Sequence, residues 1–221
     1  MHMDGLPENN SVAIAGKIVE ECVFSHEVYG EGFYTFKIAS ERLSDQADIL
    51  PITVSERLID KEQLKAGTCV DVMGQLRSYN NYNSKKNRLV LTIFAREIRL
   101  MSDEEKKNEN QIFLNGFICK EPIYRKTPFG REISDILVAV NRAYNKSDYI
   151  PCIVWGRNAR YMANLKVGVN IKVWGRVQSR SYQKKTGDLI EERVAYEVSV
   201  SKIEIPHTDE KSKTVEDTTE E

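Results

Sequence analysis

The sequence predicts an all-β chain folded as two tandem five-stranded barrels, each with one short helix between its third and fourth strands. Three observations predict it: an internal repeat with a spacing of about one hundred residues, period-two alternation of apolar residues within each copy, and one change to helical spacing in each. Val12-Ala13-Ile14-Ala15-Gly16-Lys17-Ile18 is answered by Ile112-Phe113-Leu114-Asn115-Gly116-Phe117-Ile118, and Pro51-Ile52-Thr53-Val54 by Pro151-Cys152-Ile153-Val154. Leu64-Lys65-Ala66-Gly67 then matches Leu165-Lys166-Val167-Gly168, and Val70-Asp71-Val72-Met73-Gly74 matches Ile171-Lys172-Val173-Trp174-Gly175. A unit of this length exceeds a solenoid repeat and suits a small domain.

In the second copy, Ile112, Leu114, Gly116 and Ile118 share one face of a first strand, and Ile136, Val138 and Val140 one face of a second. Tyr149 to Trp155 forms a third, with Pro151, like Pro51, marking a strand edge or start. From Arg157 to Lys166 the period changes: Ala159, Met162, Ala163 and Leu165 recur at helical spacing and Gly168 follows as a stop. Ile171, Val173 and Val177 mark the fourth strand, and Val194, Tyr196, Val198 and Val200 the fifth. The first copy repeats this order, with its helix at about Glu56 to Leu64. Three strands, a helix and two strands is the order of an OB barrel, whose closure removes open edges. The expected organisation is a flexible 1–10, a divergent OB domain at 11–100, a charged linker at 101–110, a basic OB domain at 111–205 and a disordered acidic tail at 206–221.

The net charge of −1 conceals an asymmetry. Residues 111–205 carry 16 Lys/Arg against 9 Asp/Glu, whereas residues 11–100 carry 12 of each, so the acidic excess sits in the ends and connector. A basic domain beside acidic tails suits a polyanion ligand. The chain lacks an apolar run of roughly 18 residues and a signal-peptide pattern, which predicts a soluble protein of the cytosol with no membrane association. Cys22, Cys69, Cys119 and Cys152 stand singly, so buried thiols are expected rather than a metal site or disulfide framework. His26, outside the tails, reads as a solvated loop residue. No HExxH, GxSxG or P-loop pattern occurs, so neither catalysis nor a cofactor is expected.

OB barrels hold single strands by tracking phosphates with Lys/Arg and stacking bases on exposed aromatics, at roughly 1–3 kcal/mol per base. In the second copy Arg176, Gln178 and Arg180 fall opposite Val173 and Val177 if the strand stays regular, and Trp174 joins them, for a ligand or for a subunit interface. Tyr182, Lys184 and Lys185 follow in the next loop. Trp155 ends the third strand beside Gly156 and Arg157, Arg142 and Tyr144 end the second, and Arg125, Lys126 and Arg131 flank the turn Thr127-Pro128-Phe129-Gly130. Tyr149 and Tyr196 are assigned to the core or an interface.

This half of the chain resembles the bacterial single-stranded DNA-binding protein family. The resemblance rests on Asn115-Gly116 with Pro122 and Arg125, on Leu137-Val138-Ala139-Val140-Asn141-Arg142, on Asp148 to Gly156, and on Gly175-Arg176-Val177-Gln178-Ser179-Arg180-Ser181-Tyr182. It implies an OB fold that coats single-stranded DNA without reading sequence, in replication, recombination or repair. Family stacking positions carry over onto Trp155, Tyr182 and Tyr144, and phosphate contacts onto Arg180, Arg142 and Arg157. Because single-domain members assemble as tetramers, the resemblance also implies a homodimer presenting four barrels.

The first copy departs from that pattern. Ser55 stands where Trp155 stands, and Glu41-Arg42 replaces Asn141-Arg142. Arg77, Tyr79, Tyr82, Lys85 and Lys86 still form an aromatic and basic hairpin, so this copy either binds more weakly or mainly supports assembly. The acidic end Glu216-Asp217-Thr218-Thr219-Glu220-Glu221 lacks the apolar tip with which the family docks repair and replication proteins. Two other readings remain open: an interaction module of the replication or recombination machinery, and single-stranded RNA binding.

Overall fold

The computed structural model describes residues 9–44, 46–80, 89–102, 105, 109–186 and 189–206. The first copy forms β1 (Asn10–Ile18), β2 (Val23–Val28), β3 (Glu31–Glu41), β4 (Ala47–Ser55), a 3₁₀ turn (Lys61–Gln63), β5 (Cys69–Asn80) and β6 (Leu89–Met101). The second forms β7 (Asn110–Ile118), β8 (Ile123–Lys126), β9 (Glu132–Arg142), β10 (Lys146–Trp155), α1 (Gly156–Met162), β11 (Asn170–Thr186) and β12 (Leu189–Glu204). Strand therefore occupies Asn110 and Met101, at the two ends of the expected linker. The expected N-terminal arm and acidic tail fall, but for their inner edges, outside the described residues.

Each copy closes on itself. β7 pairs antiparallel with β9 and β11, β9 with β10, and β11 with β12, and the parallel pair Cys152↔Val198 joins β10 to β12. The first ring runs β1-β3-β4-β6-β5 and is closed by Ile52↔Ile93. This is the OB order. Six strands per copy replace five because the first strand breaks and resumes as β2 or β8 along β3 or β9; in the second copy Pro122, without an N–H, ends the gap.

Alternation does what the sequence implied. Ile14, Ile18, Ile38, Leu50, Ile52, Leu76 and Ile93 fill the first barrel, and Leu114, Ile118, Val138, Ile150, Val154, Val177 and Val198 the second. Gly74 and Gly175 repeat because the partner strands β6 and β12 bulge opposite them, with Arg96 and Ser201 as the extra residues; a Cβ would meet Phe94 O or Ser199 O at 2.2 Å. Pro51 and Pro151 lie inside β4 and β10 rather than at a strand start, opposite Lys37 and Leu137. They are tolerated because the ladder on the other side begins only at Ile52 and Cys152. Cys152 is buried and the other cysteines half-buried, all free; burial pushes the Cys152 thiol well above its ordinary range.

The helices are shorter than periodicity suggests. α1 buries Ala159 and Met162 and stops there, its end tightened by i→i+3 bonds from Asn164 to Tyr161 and Leu165 to Met162. In the first copy only Lys61–Gln63 is helical. Side chains there capture the backbone: Gly32 N–H donates to Glu56 Oε1 at 2.8 Å, Arg57 N–H to Ser55 Oγ at 3.1 Å and Glu62 N–H to Asp60 Oδ1 at 3.0 Å. Such bonds compete with helix formation.

The two barrels join edge to edge through an antiparallel β1–β7 ladder centred on Val12↔Ile112, which are the same position of the repeat. A local pseudo-two-fold axis therefore runs between them. Two buried carboxylates repeat across it. Asp48 of the first barrel accepts the Ser179 N–H at 2.8 Å, Arg176 at 2.8 Å and Arg42 at 2.6 Å. Asp148 of the second accepts the Ser78 N–H at 2.7 Å, Arg77 at 3.2 Å and Arg142 at 3.4 Å. Ile49 and Tyr149 N–H groups donate to Ser179 and Ser78 hydroxyls at 3.0 and 2.7 Å, completing each half of the seam.

Candidate nucleic-acid interface

Alternation gives the strands an outer row, but the structure divides that row between solvent and the other barrel. Trp155 closes β10, 37% exposed, with its indole N–H donating to Ser199 Oγ at 3.2 Å. Arg157 is exposed on the next turn. Tyr182 is half-buried, with the Arg180 guanidinium 5.8 Å from its ring centroid, and Lys184 and Lys185 are exposed farther along β11. Arg180 Nε also donates to Glu197 at 3.4 Å, and the nearly buried Glu197 takes Gln178 Nε2 at 2.8 Å.

Gln178 is therefore a buried residue of the second barrel rather than part of an open face. Arg176 and Arg77 are likewise turned to Asp48 and Asp148, and each also donates to the glutamine beside it, Gln178 or Gln75. The bulge between Trp174 and Gly175 breaks the expected row. Trp174 packs on Phe113, centroids 5.0 Å apart, under the Lys202 ammonium at 4.6 Å, away from Arg176. Arg125 forms two bonds to Asp135, at 2.7 and 3.2 Å, and that pairing holds its guanidinium pKa above the ordinary value. Arg131 is exposed at the β8–β9 turn, where its N–H donates to Thr127 Oγ1 at 3.1 Å.

A second group gathers at the seam. Tyr144 is 94% exposed at the β9–β10 turn, and a groove of about 1050 Å³ runs from it and Arg142 onto the first barrel, reaching Arg77 and Tyr79. Phe94, Arg96, His26 and Lys146, which sequence reasoning passed over, line the same groove. His26 lies in β2, not in a loop, stacked on Phe33 at 4.9 Å. Arg96 is the bulge residue of β6 and Phe94 lies two positions before it, and the apolar-charged alternation there was the available signal. Tyr149 lies at the seam, half-exposed, and Tyr196 packs at the core margin. Tyr82, Lys85 and Lys86 lie outside the described residues.

The family model that matches this chain is described as "Single-strand binding protein family", and it covers residues 109–206. The match falls on the second barrel, which resembles that family. Among family relatives, the "Single-stranded DNA-binding protein" of Clostridium tetani is 37% identical over 85 residues, covering 35% of this chain and 59% of the relative. "Single-stranded DNA-binding protein A" of Bacillus subtilis is 35% identical over 88 residues, covering 37% and 51%. The chain thus spans about half the length of the curated relatives it matches. The wild-type single-stranded DNA binding protein from Thermus aquaticus superposes with a TM-score of 0.70 at 17% identity, over 90% of this chain and 93% of that one. That likeness covers both barrels, so the tandem OB fold extends beyond the family-matched half. Among the described residues no helix is long and apolar enough to cross a membrane.

Proposed function

We propose that the protein binds single-stranded DNA without reading its sequence, protecting it during replication, recombination or repair, and performs no catalysis of its own. The observation that carries this reading is the family match over 109–206 on a barrel that presents a solvent-facing indole, Trp155, flanked by Arg157. Stacking on Trp155, Tyr182 and Tyr144, with phosphates against Arg142, Arg157, Arg180 and the exposed Lys184 and Lys185, is the binding mode the chemistry supports. Arg125 and Arg131 are secondary members, and Arg77 and Tyr79 carry the first barrel's share. The protein works in the cytosol as a homodimer presenting four barrels; the half-exposed Phe113–Trp174 patch supports a subunit contact. Replication and repair proteins are its natural associates.

Titration with oligo-dT, followed by tryptophan fluorescence at several salt concentrations, tests the reading. Expected is quenching, with log affinity falling by about 0.7 per phosphate neutralised for each unit of log salt. Absent or salt-insensitive binding refutes it in favour of a protein-interaction module, and tighter binding of oligo-U than oligo-dT refutes it in favour of RNA.

A further inference from the structure

Equivalent positions on the two sides of the pseudo-two-fold seam carry different side chains. Over the first barrel they line a groove of about 1050 Å³; a second seam groove, of about 470 Å³, lies between the first barrel's β3–β4 turn and the Val194 and Tyr196 side of β12, a face not equivalent to it. The differences fall at particular repeat positions. Ser44 and Gln46 stand where Tyr144 and Lys146 stand, and Arg180 where Tyr79 stands. Thr92, hydrogen-bonded to Thr53 at 2.8 Å, occupies the place of Glu197. The face of the second barrel equivalent to the larger groove therefore carries a carboxylate, Glu197, and the arginine of the first barrel's β3–β4 turn, Arg42, is already matched by Asp48. None of the described side chains lining the larger groove is acidic.

We propose that the larger groove is a composite single-strand subsite, built by the first barrel and completed by the second barrel's β9–β10 turn, and that it is stronger than the equivalent face of the second barrel. This rests on the single-stranded DNA reading and reverses the expectation that the first copy binds more weakly. Tyr79, Phe94 and Tyr144 offer rings of which Tyr79 and Tyr144 stand well into solvent. Arg96 and Lys146 are exposed, and Arg77 and Arg142 share one carboxylate, Asp148, beneath the groove floor. Cations thus outnumber the acid by three, beside stackable rings and a polar Thr53–Thr92 floor. The volume exceeds the roughly 300–1,000 Å³ that holds a drug-sized ligand, so it admits more than one base.

The test uses the full chain and an oligo-dT of about 12 nucleotides, within the span of one or two barrels. Tyr144 has a positive φ of 60°, so Tyr144→Asn removes the ring without adding strain. Tyr79→Ser with Tyr144→Asn is expected to weaken binding about 30-fold or more, two lost stacking contacts at roughly 1–3 kcal/mol each. Tyr161→Ala, an exposed ring on α1, serves as control and should leave affinity unchanged. Photo-crosslinking of 5-iodouridine-substituted oligo-dT to the wild type should label Tyr79, Phe94 or Tyr144. If the wild type binds but the double variant binds as tightly and cross-links fall only at Trp155 and Tyr182, this inference is overturned while the functional reading stands. If the wild type does not bind at all, both fail.

Discussion

Asp148 receives the Arg77 guanidinium of the other barrel at 3.2 Å while itself fully buried, and Asp48 receives Arg176 across the same seam at 2.8 Å. These pairs make barrel docking an electrostatic as well as a backbone event. Removing one partner from a buried pair typically costs about 3–5 kcal/mol, because the other charge is left stranded. Asp148→Ala should lose stability of that order in urea unfolding of the full chain. An effect below about 1 kcal/mol would mean the seam contributes little.

The same seam predicts acid sensitivity. Burial alone would push the Asp48 carboxyl up, but the Arg42 hydrogen bond, the Ser179 N–H and the charges of Arg42 and Arg176 together outweigh it and hold its pKa below the ordinary value. A lowered folded pKa contributes stability that is complete above the unfolded carboxyl value of about 3.9 and is lost as pH falls through the folded value. The stability gap between wild type and Asp48→Asn should therefore narrow below about pH 4 and stay constant from about pH 6 to 8. Unfolding curves across that range check it, and a gap independent of pH down to acid unfolding would contradict it.

Gly175→Ala provides a steric test of the bulge. The new methyl would sit 2.2 Å from the Ser199 carbonyl oxygen, a backbone atom that cannot rotate away. Overpacking of this kind costs about 1–3 kcal/mol or more. Gly130→Ala, where open space surrounds the position but φ is +75°, should cost only about 1 kcal/mol. Equal losses in thermal unfolding would show that the β12 bulge opposite Gly175 relaxes freely.

Trp155 and Trp174 separate binding from assembly. Trp155→Ala should abolish most fluorescence quenching by oligo-dT and leave sedimentation unchanged. Trp174→Ala, which removes the ring stacked on Phe113, should instead reduce self-association with little change in quenching. The opposite pattern would exchange the roles of the two indoles.

The barrels were legible because core-facing residues alternate and because the alternation occurs twice. What alternation cannot say is whether an outward residue meets solvent or a second barrel. Arg77, Arg176 and Gln178 occupy outward positions of β5 and β11; docking of the copies turns the two arginines to carboxylates across the seam, while Glu197 of the same barrel takes Gln178. Asp48 and Asp148 did carry a signal, an acid repeated three residues before Pro51 and Pro151. Its partners lie as far as 131 residues away, beyond any local pattern. The helix expected at Glu56 to Leu64 failed for a local reason, since Ser55, Glu56 and Asp60 bond to backbone N–H groups. The composite groove was invisible for the same reason as the seam: Tyr79 and Tyr144 meet only after docking.

Joining the copies in one polypeptide through the Val12↔Ile112 ladder has a consequence that two separate, identical barrels would not permit. Identical halves about a dyad must look the same to a polynucleotide entering from either end. Covalent fusion lets Ser44 and Tyr144, or Thr92 and Glu197, diverge independently, so each chain acquires a head and a tail. On the proposed function, a strand crossing both barrels of one chain would meet chemically different surfaces at its two ends, an asymmetry conferred by the chain rather than by any base.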